Sequence, residues 1–428
     1  MSAMAQETIK KIKATDLKPG MYITDFNQDW HDPDSHDNNP GAFQGPQRIT
    51  TEAEIQAILS SGIKEIYIDV AKGKEAEGTP LKDVEQALAE QLLELGDDEE
   101  LALKGASPVP FEEELSGAAE VKSQARRIVG DVLADARLGK QVTLEPVQDA
   151  VLGMAESMFR NPDAILSLSL IKKRDEYTFM HSVNVGVFLM SFCRAMEMPE
   201  ETIIKVGVGG MLHDIGKMKT PENVLNKAGK LTDEEFLLMK QHVTFSREIL
   251  EQTQGISEIS IFVAGQHHER FDGMGYPHGL KGDAIDEFGQ MAAIVDVYDA
   301  ITSDRVYHKG NPPHVALKRM LDWSKNHFNP QLYQRFVQCV GIYPIGTLVR
   351  LENDLVGIVI RSNAESLLHP VIKVIIDAKA GKKLKPKEIN LMDYSGNATK
   401  GFRIVRTEPN DKWKVDPAQF MPKPEIFQ

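Results

Sequence analysis

Cysteine is nearly absent from this chain: Cys193 and Cys339 are the only two in 428 residues. They stand far apart among apolar neighbours, which predicts two buried free thiols rather than a disulfide framework or a pair of thiolate ligands. Long apolar runs are missing too. No stretch reaches the roughly eighteen consecutive apolar residues that a bilayer-crossing helix needs. The first residues, Met1 to Thr8, hold no basic region followed by an apolar core, so no secretory leader is expected and the expected location is cytoplasmic. Positive charge is in deficit, with 49 Lys and Arg against 63 Asp and Glu and a formal net charge of −14. That balance argues against polymeric nucleic acid as a partner, and no membrane partner is expected. A small anionic ligand stays open, because bound metal ions can supply the local positive charge that the whole chain lacks.

What is present points to a mainly α protein with two smaller parts. Hydrophobic residues make up 42% and charged residues 26%, the values of a globular protein. The length suggests two or three domains. Residues 1–72 read as a small N-terminal α+β domain with a regulatory role. In it, a turn runs into a strand over 17–24, Thr51 caps a short helix, and 62–69 alternates like a half-buried strand. The polar loop from Trp30 to Gly45 carries His31 and His36, read as solvated. Residues 73–110 read as an acidic linker and helix. Residues 111–340 show helical periodicity throughout. Helices are expected over 114–136 and 145–160, then from Pro162 with Asn161 as cap, around 181–196, over 203–212, from a capping box at Thr232 to Glu235, over 257–268 and 288–303, and near 313–324 and 331–340. Gly207, Gly209 and Gly210 within one helix cost roughly 1 kcal/mol each relative to alanine, so close helix packing is expected there. Residues 341–428 form a β-rich C-terminal extension, with strand patterns near 347–352, 356–361 and 371–377.

The chemistry concentrates between His181 and Asp304. Five of twelve histidines, His181, His213, His242, His267 and His268, fall on or at the ends of predicted helices. Asp214 and Asp296 join them. Imidazole and carboxylate donors suit iron, manganese or zinc, and no cysteine lies near to make a structural zinc site. Seven donors are too many for one ion and fit two, with a carboxylate able to bridge. Two ions can clamp the attacking and leaving oxygens of a phosphoryl centre. Lys217, one turn after Asp214, can neutralise a phosphate oxygen. His278, His308, His314, His327 and His369 lack the joint spacing and read as structural.

The pattern His-Asp-Ile-Gly-Lys at 213–217, His-His-Glu-Arg-Phe-Asp-Gly-Met-Gly-Tyr-Pro-His-Gly-Leu-Lys-Gly at 267–282 and Asp-Val-Tyr-Asp-Ala-Ile-Thr-Ser-Asp-Arg at 296–305 resembles the HD-GYP domain. That domain belongs to the HD superfamily of metal-dependent phosphohydrolases. The resemblance covers 176–340. The 9–69 region resembles a small domain of unknown function often found ahead of such domains. The resemblance implies an HD-type helical bundle and a cyclic-di-GMP phosphodiesterase that opens the ring to pGpG, an activity that in many members continues to GMP, so the end product is left open between pGpG and GMP. Its cofactor would be two divalent ions, iron or manganese. His181, His213, Asp214 and Asp296 would hold one ion; Asp214, His242, His267 and His268 would hold the other. A bridging hydroxide would attack phosphorus, with Asp214 and Lys217 as the catalytic residues. Lys217, Asp299 and Arg305 would meet substrate, and Gly275, Tyr276 and Pro277 would shape a guanine pocket or a partner surface. Tyr177 stands where some members place a third-metal glutamate, so two ions are expected. His308 stands where some relatives have a phosphate-holding lysine. Alternatives are a 3′,3′-cyclic GMP-AMP phosphodiesterase, a cyclic-dinucleotide receptor without turnover, and a nucleotidase of the wider HD group. A GGDEF-type cyclase and a homodimer are the protein partnerships the resemblance allows.

Overall fold

The computed structural model describes residues 8–25, 47–60, 63–80, 87, 90–91, 108–170, 177–227, 231–303, 310–324, 326–363, 366–394 and 401–421. The chain divides into two compact units: residues 1–92, 228–236 and 411–414 form one, and the rest form the other.

The first unit is built on a five-stranded antiparallel sheet. In chain order its elements are β1 (Ile9–Lys13), β2 (Tyr22–Asp25), β3 (Gln47–Arg48), α1 (Glu52–Ser60), β4 (Glu65–Asp69) and β5 (Thr79–Pro80), and the strand order is β3-β2-β4-β1-β5. Helix α1 opens with a reciprocal cap: Glu54 N donates to Thr51 Oγ1 and Thr51 N donates to Glu54 Oε2, which satisfies two otherwise orphaned amides. Ile58 of α1 packs with Ile23, Ile49, Ile66 and Ile68 in a core of isoleucines. Strand β5 pairs with β1, so the sheet takes in residues from the stretch read as linker. The loop with His31 and His36 lies outside the described residues.

The second unit holds ten labelled helices before its last strands, the sixth of which begins within the 228–236 segment of the first unit. Its helices are α2 (Phe111–Arg137), α3 (Glu145–Arg160), α4 (Pro162–Leu170), α5 (Tyr177–Ala195), α6 (Glu200–Leu212), α7 (Asp233–Glu251), α8 (Glu258–Gln266), α9 (Glu287–Thr302), α10 (Pro313–Trp323) and α11 (Pro330–Val340). Four of them close a ring, α5 on α6, α6 on α8, α8 on α9 and α9 on α5. Helix α9 is buried on every side from Gly289 to Ile301, as expected of a helix apolar all round. The starts follow the caps read from sequence. Asn161 accepts from Asp163 N and Ala164 N. Thr232 and Glu235 bond reciprocally. Ser257, not read as a cap in the sequence, likewise accepts from Ser260 N. The glycines of α6 serve close packing: a Cβ on Gly210 would lie 2.8 Å from Gly186 Cα in α5, and one on Gly209 would lie 2.9 Å from Ser260 Cα in α8.

The C-terminal part is an antiparallel sheet of β6 (Leu348–Leu351), β7 (Leu355–Arg361), β8 (Val371–Asp377), β9 (Lys382–Asn390) and β10 (Ile404–Thr407), in the order β10-β6-β7-β8-β9. It is tied to the helices by the Arg361–Glu112 ion pair and by Ser362 Oγ donating to Asp163 Oδ1. The fold is therefore mainly α with two small sheets. Among the described residues no helix is long and apolar enough to cross a membrane. Cys193 and Cys339 are buried free thiols.

Candidate metal centre

The ring of helices, together with α7, brings the seven expected donors together. His181 comes from α5, His242 from α7 and Asp296 from α9. His213 is the C-cap of α6 and His267 the C-cap of α8, so the paired histidines sit just past their helix rather than inside it. Three sets of side chains each bring their donor atoms within 4.8 Å of one another: His181, His213 and Asp296; His213, Asp214 and His267; and His242, His267 and His268. Asp214 stands between the others. Its Oδ2 lies 3.3 Å from His213 Nε2 and 3.8 Å from His181 Nε2, while its Oδ1 lies 3.4 Å from His242 Nε2 and 3.8 Å from His267 Nε2. Asp296 Oδ1 lies 3.1 Å from His181 Nε2.

Each ring is aimed by its far nitrogen. His213 Nδ1 meets Gly210 O at 2.7 Å, His242 Nδ1 meets Met239 O at 2.7 Å and His267 Nδ1 meets Ala264 O at 2.9 Å. A carbonyl only accepts, so these Nδ1 atoms carry the proton and the Nε2 lone pairs face the centre. The consequence is that lone pairs converge on the centre. His242 Nε2 and His267 Nε2 face each other at 3.4 Å. His213 Nε2 and Asp214 Oδ1 are buried with no hydrogen-bond partner. Buried polar atoms are seldom left this way, and cations between these donors would satisfy them. The donor set therefore fits metal, with Nδ1 contacts of the kind that orient metal-bound histidines.

Electrostatics agree with that arrangement. Burial pushes the His267 imidazole down to about 3, helped by the neighbouring His213 and His242. Burial, with His267 beside it, likewise holds His268 well below the usual range. Both rings are neutral and ready to donate lone pairs at pH 7. Burial works to raise Asp214, yet Lys217, His213 and His242 outweigh it and keep the carboxyl well below its ordinary range. His181 differs. Burial pulls it down, but its hydrogen bonds to Asp296 and Asp299 carry it up to about 9. In the metal-free chain it is an imidazolium at pH 7, and a cation would have to displace that proton. Metal loading at pH 7 is thus expected to release about one proton per chain from His181, and affinity is expected to climb with pH up to about 9. The sign for stability is opposite. The raised value stabilises the metal-free fold below about 6.5, and that contribution fades as pH rises through about 9. Calorimetry of metal loading in two buffers of different ionisation enthalpy reads the proton directly; loading without release would contradict the assignment.

The remaining expected site residues are placed as follows. Lys217 Nζ lies 2.8 Å from Asp214 Oδ2. Tyr276 stacks on His268, with centroids 4.7 Å apart and planes at 21°, and Gly275 and Pro277 flank it in the same loop. Asp299, expected to meet substrate, is fully buried, and its Oδ2 lies 2.8 Å from His181 Nδ1. It stands behind a candidate ligand, because Asp296 and Asp299 are three residues apart on one helix face. Arg305 and His308 lie outside the described residues, as does the Tyr177 side chain. Among the described residues, none of His278, His314, His327 and His369 belongs to a candidate metal group. Two contacts went unread in the sequence. Ser246 Oγ accepts from Gly216 N at 2.8 Å, tying the 213–217 turn to α7. Lys240 Nζ lies 5.8 Å from the Tyr276 ring centre. Their only sequence signal was proximity to His242.

Comparison with known proteins gives the following. Residues 166–332 match an HD domain, residues 9–147 match a domain of unknown function, and residues 348–397 match a KOW domain associated with HD domains. The chain is 37% identical over 407 residues to a cyclic di-GMP phosphodiesterase of Pseudomonas aeruginosa, covering 95% of this chain and 93% of that one. It is 36% identical over 170 residues to a 3′,3′-cGAMP-specific phosphodiesterase of Vibrio cholerae, covering 40% of this chain and 38% of the other. It is 32% identical over 201 residues to a cyclic di-GMP phosphodiesterase of Thermotoga maritima, covering 47% and 51%. The match thus spans nearly all of the Pseudomonas relative, and about half or less of the other two.

Proposed function

The chain belongs to the HD-GYP family of metal-dependent HD-domain phosphodiesterases, and on that premise we propose that it hydrolyses cyclic di-GMP, opening the ring to pGpG and cleaving onward to GMP. The observation that carries the reading is the Asp214 carboxylate, which turns one oxygen toward His181 and His213 and the other toward His242 and His267. His181, His213 and Asp296 would hold one ion with Asp214 Oδ2, and His242, His267 and His268 would hold a second with Asp214 Oδ1. When bound, two divalent ions, iron or manganese for this N/O donor set, would generate the nucleophile at neutral pH and offset charge on the phosphoryl oxygens.

The chain's own residues supply the rest. The Nδ1–H groups of His213, His242 and His267 lock their rings in place through main-chain carbonyls. Asp299 fixes the His181 ring from behind. Lys217 puts an ammonium beside the shared carboxylate, where it can neutralise a phosphoryl oxygen as charge develops. The stacked Tyr276 offers an aromatic wall beside His268, suited to a planar base. The two free buried thiols accord with a reducing compartment, and we place the protein in the cytoplasm.

The Vibrio relative favours one second reading, cyclic GMP-AMP, which has the same phosphodiester chemistry and differs in one base. Parallel kinetics on the manganese-loaded protein separate the two. The first reading expects the higher kcat/KM on cyclic di-GMP. A higher value on cyclic GMP-AMP would select the second, and turnover of neither would remove both.

A further inference from the structure

The 267–280 stretch contains a buried acid that metal binding does not use. Glu269 directly follows the histidine pair and is 1% exposed. Its carboxylate reaches across to the far arm of the loop, where Oε1 accepts from His278 N at 2.8 Å and Oε2 accepts from Leu280 N at 2.9 Å. Among the described residues no cation pairs with it. The near arm is held separately, by Arg270 gripping Asp272 and by Asp272 Oδ1 accepting from Met274 N. Between the arms the chain turns so tightly that a Cβ on Gly275 would lie 2.3 Å from Arg270 N. At that turn Tyr276 N donates to His268 O at 3.1 Å, and the Tyr276 ring lies flat on the His268 imidazole.

We propose that Glu269 is a positioning residue: its carboxylate ties the 278–280 arm back to the histidine pair and thereby holds Tyr276 against His268. The chemistry calls for a carboxylate. Two amide N–H groups converge on two oxygens, and a glutamine would offer one oxygen and turn an N–H against the second amide. Bonds to an ionised, buried acceptor are stronger than neutral ones, and both of these draw the 278–280 arm to the residue that follows the histidine pair. The kinetic side of this inference rests on the phosphodiesterase reading; the structural side does not.

The test uses the full-length, manganese-loaded protein and the Glu269→Gln variant, with Tyr276→Ala and the double variant alongside. Hydrogen exchange over 276–282 is expected to speed up by roughly tenfold or more, the scale of one lost bond to a charged group, while metal per chain stays unchanged. KM for cyclic di-GMP is expected to rise by a similar factor with kcat moving less. In the Tyr276→Ala background the same change should add less than about twofold, because the two residues act through one contact. Unchanged exchange would overturn the proposal, and so would a full kinetic effect that persists without Tyr276. Should Glu269→Gln fail to fold or load, Glu269→Asp keeps the charge at shorter reach. Loss of folding or metal in that variant too would make Glu269 a residue of the fold and overturn the positioning role. If the wild-type protein turns over no cyclic dinucleotide, the phosphodiesterase reading fails, and hydrogen exchange still decides whether Glu269 holds the loop.

Discussion

Turnover of cyclic di-GMP by the Asp214→Ala protein is expected to fall by roughly 10³-fold, at least the loss seen when a preorganised electrostatic contact is removed from an active site. The size follows from position. Both oxygens of this carboxylate face histidine nitrogens, His181 and His213 on one side and His242 and His267 on the other, so one substitution removes a donor from each candidate ion. It also deprives Lys217 of its 2.8 Å partner. Asp214→Asn keeps the shape but offers one acceptor and no charge, and it should not rescue. A trivial folding defect is separable. The metal-free variant should melt near the metal-free wild type, whereas the rise in Tm that metal gives the wild type should be largely lost, because that rise reports binding to the native state. A variant that keeps full metal content and turnover would mean that the shared carboxylate is not a ligand.

The second large effect is expected from Gly216→Ala, a single added methyl group. A Cβ there would sit 2.0 Å from His242 O and 2.4 Å from Ser246 N. Both are main-chain atoms of α7, so no flexible side chain can yield, and the helix itself must move. Gly216 N also donates to Ser246 Oγ at 2.8 Å, a bond the same displacement breaks. Overpacking of this kind costs about 1–3 kcal/mol, visible as a lower Tm. The effect on turnover should be larger, since α7 carries His242, and a shift of about 1 Å in a reacting group can cost about 10²-fold. Thermal melts with kcat on one preparation read both. Wild-type kcat in this variant would show that the 213–217 turn and α7 are not held in the register described.

The two effects bear on what the sequence could tell. Caps and periodicity placed α3, α4 and α9 to within a residue or two at their starts, because Asn161, the proline after it and the apolar run of α9 act locally. Strand β1 escaped notice. Its buried residues, Ile9 and Ile12, are three apart, a helical spacing, and only pairing with β4 and β5 makes the segment a strand. The donors were legible as residue types in a collinear motif. The resemblance also divided them between two ions, but which oxygen of Asp214 faces which ring was not legible, because that depends on how α5, α6, α7, α8 and α9 close on one another. Asp299 illustrates the difference. Its place in the motif suggested substrate, while its place on α9 puts it against His181 Nδ1. Glu269 is the converse: it was visible in the motif, and its partners, two amides nine and eleven residues onward, have no local signature.

The central claim is that two ions divided by Asp214 perform the hydrolysis. The most direct measurement is an anaerobic titration of the metal-free protein with manganese or ferrous iron, counting bound metal per chain while following cyclic di-GMP and cyclic GMP-AMP cleavage. Turnover that rises to a plateau at about two ions per chain is the expected result. Full turnover at one ion, or two bound ions with neither dinucleotide cleaved, would contradict it.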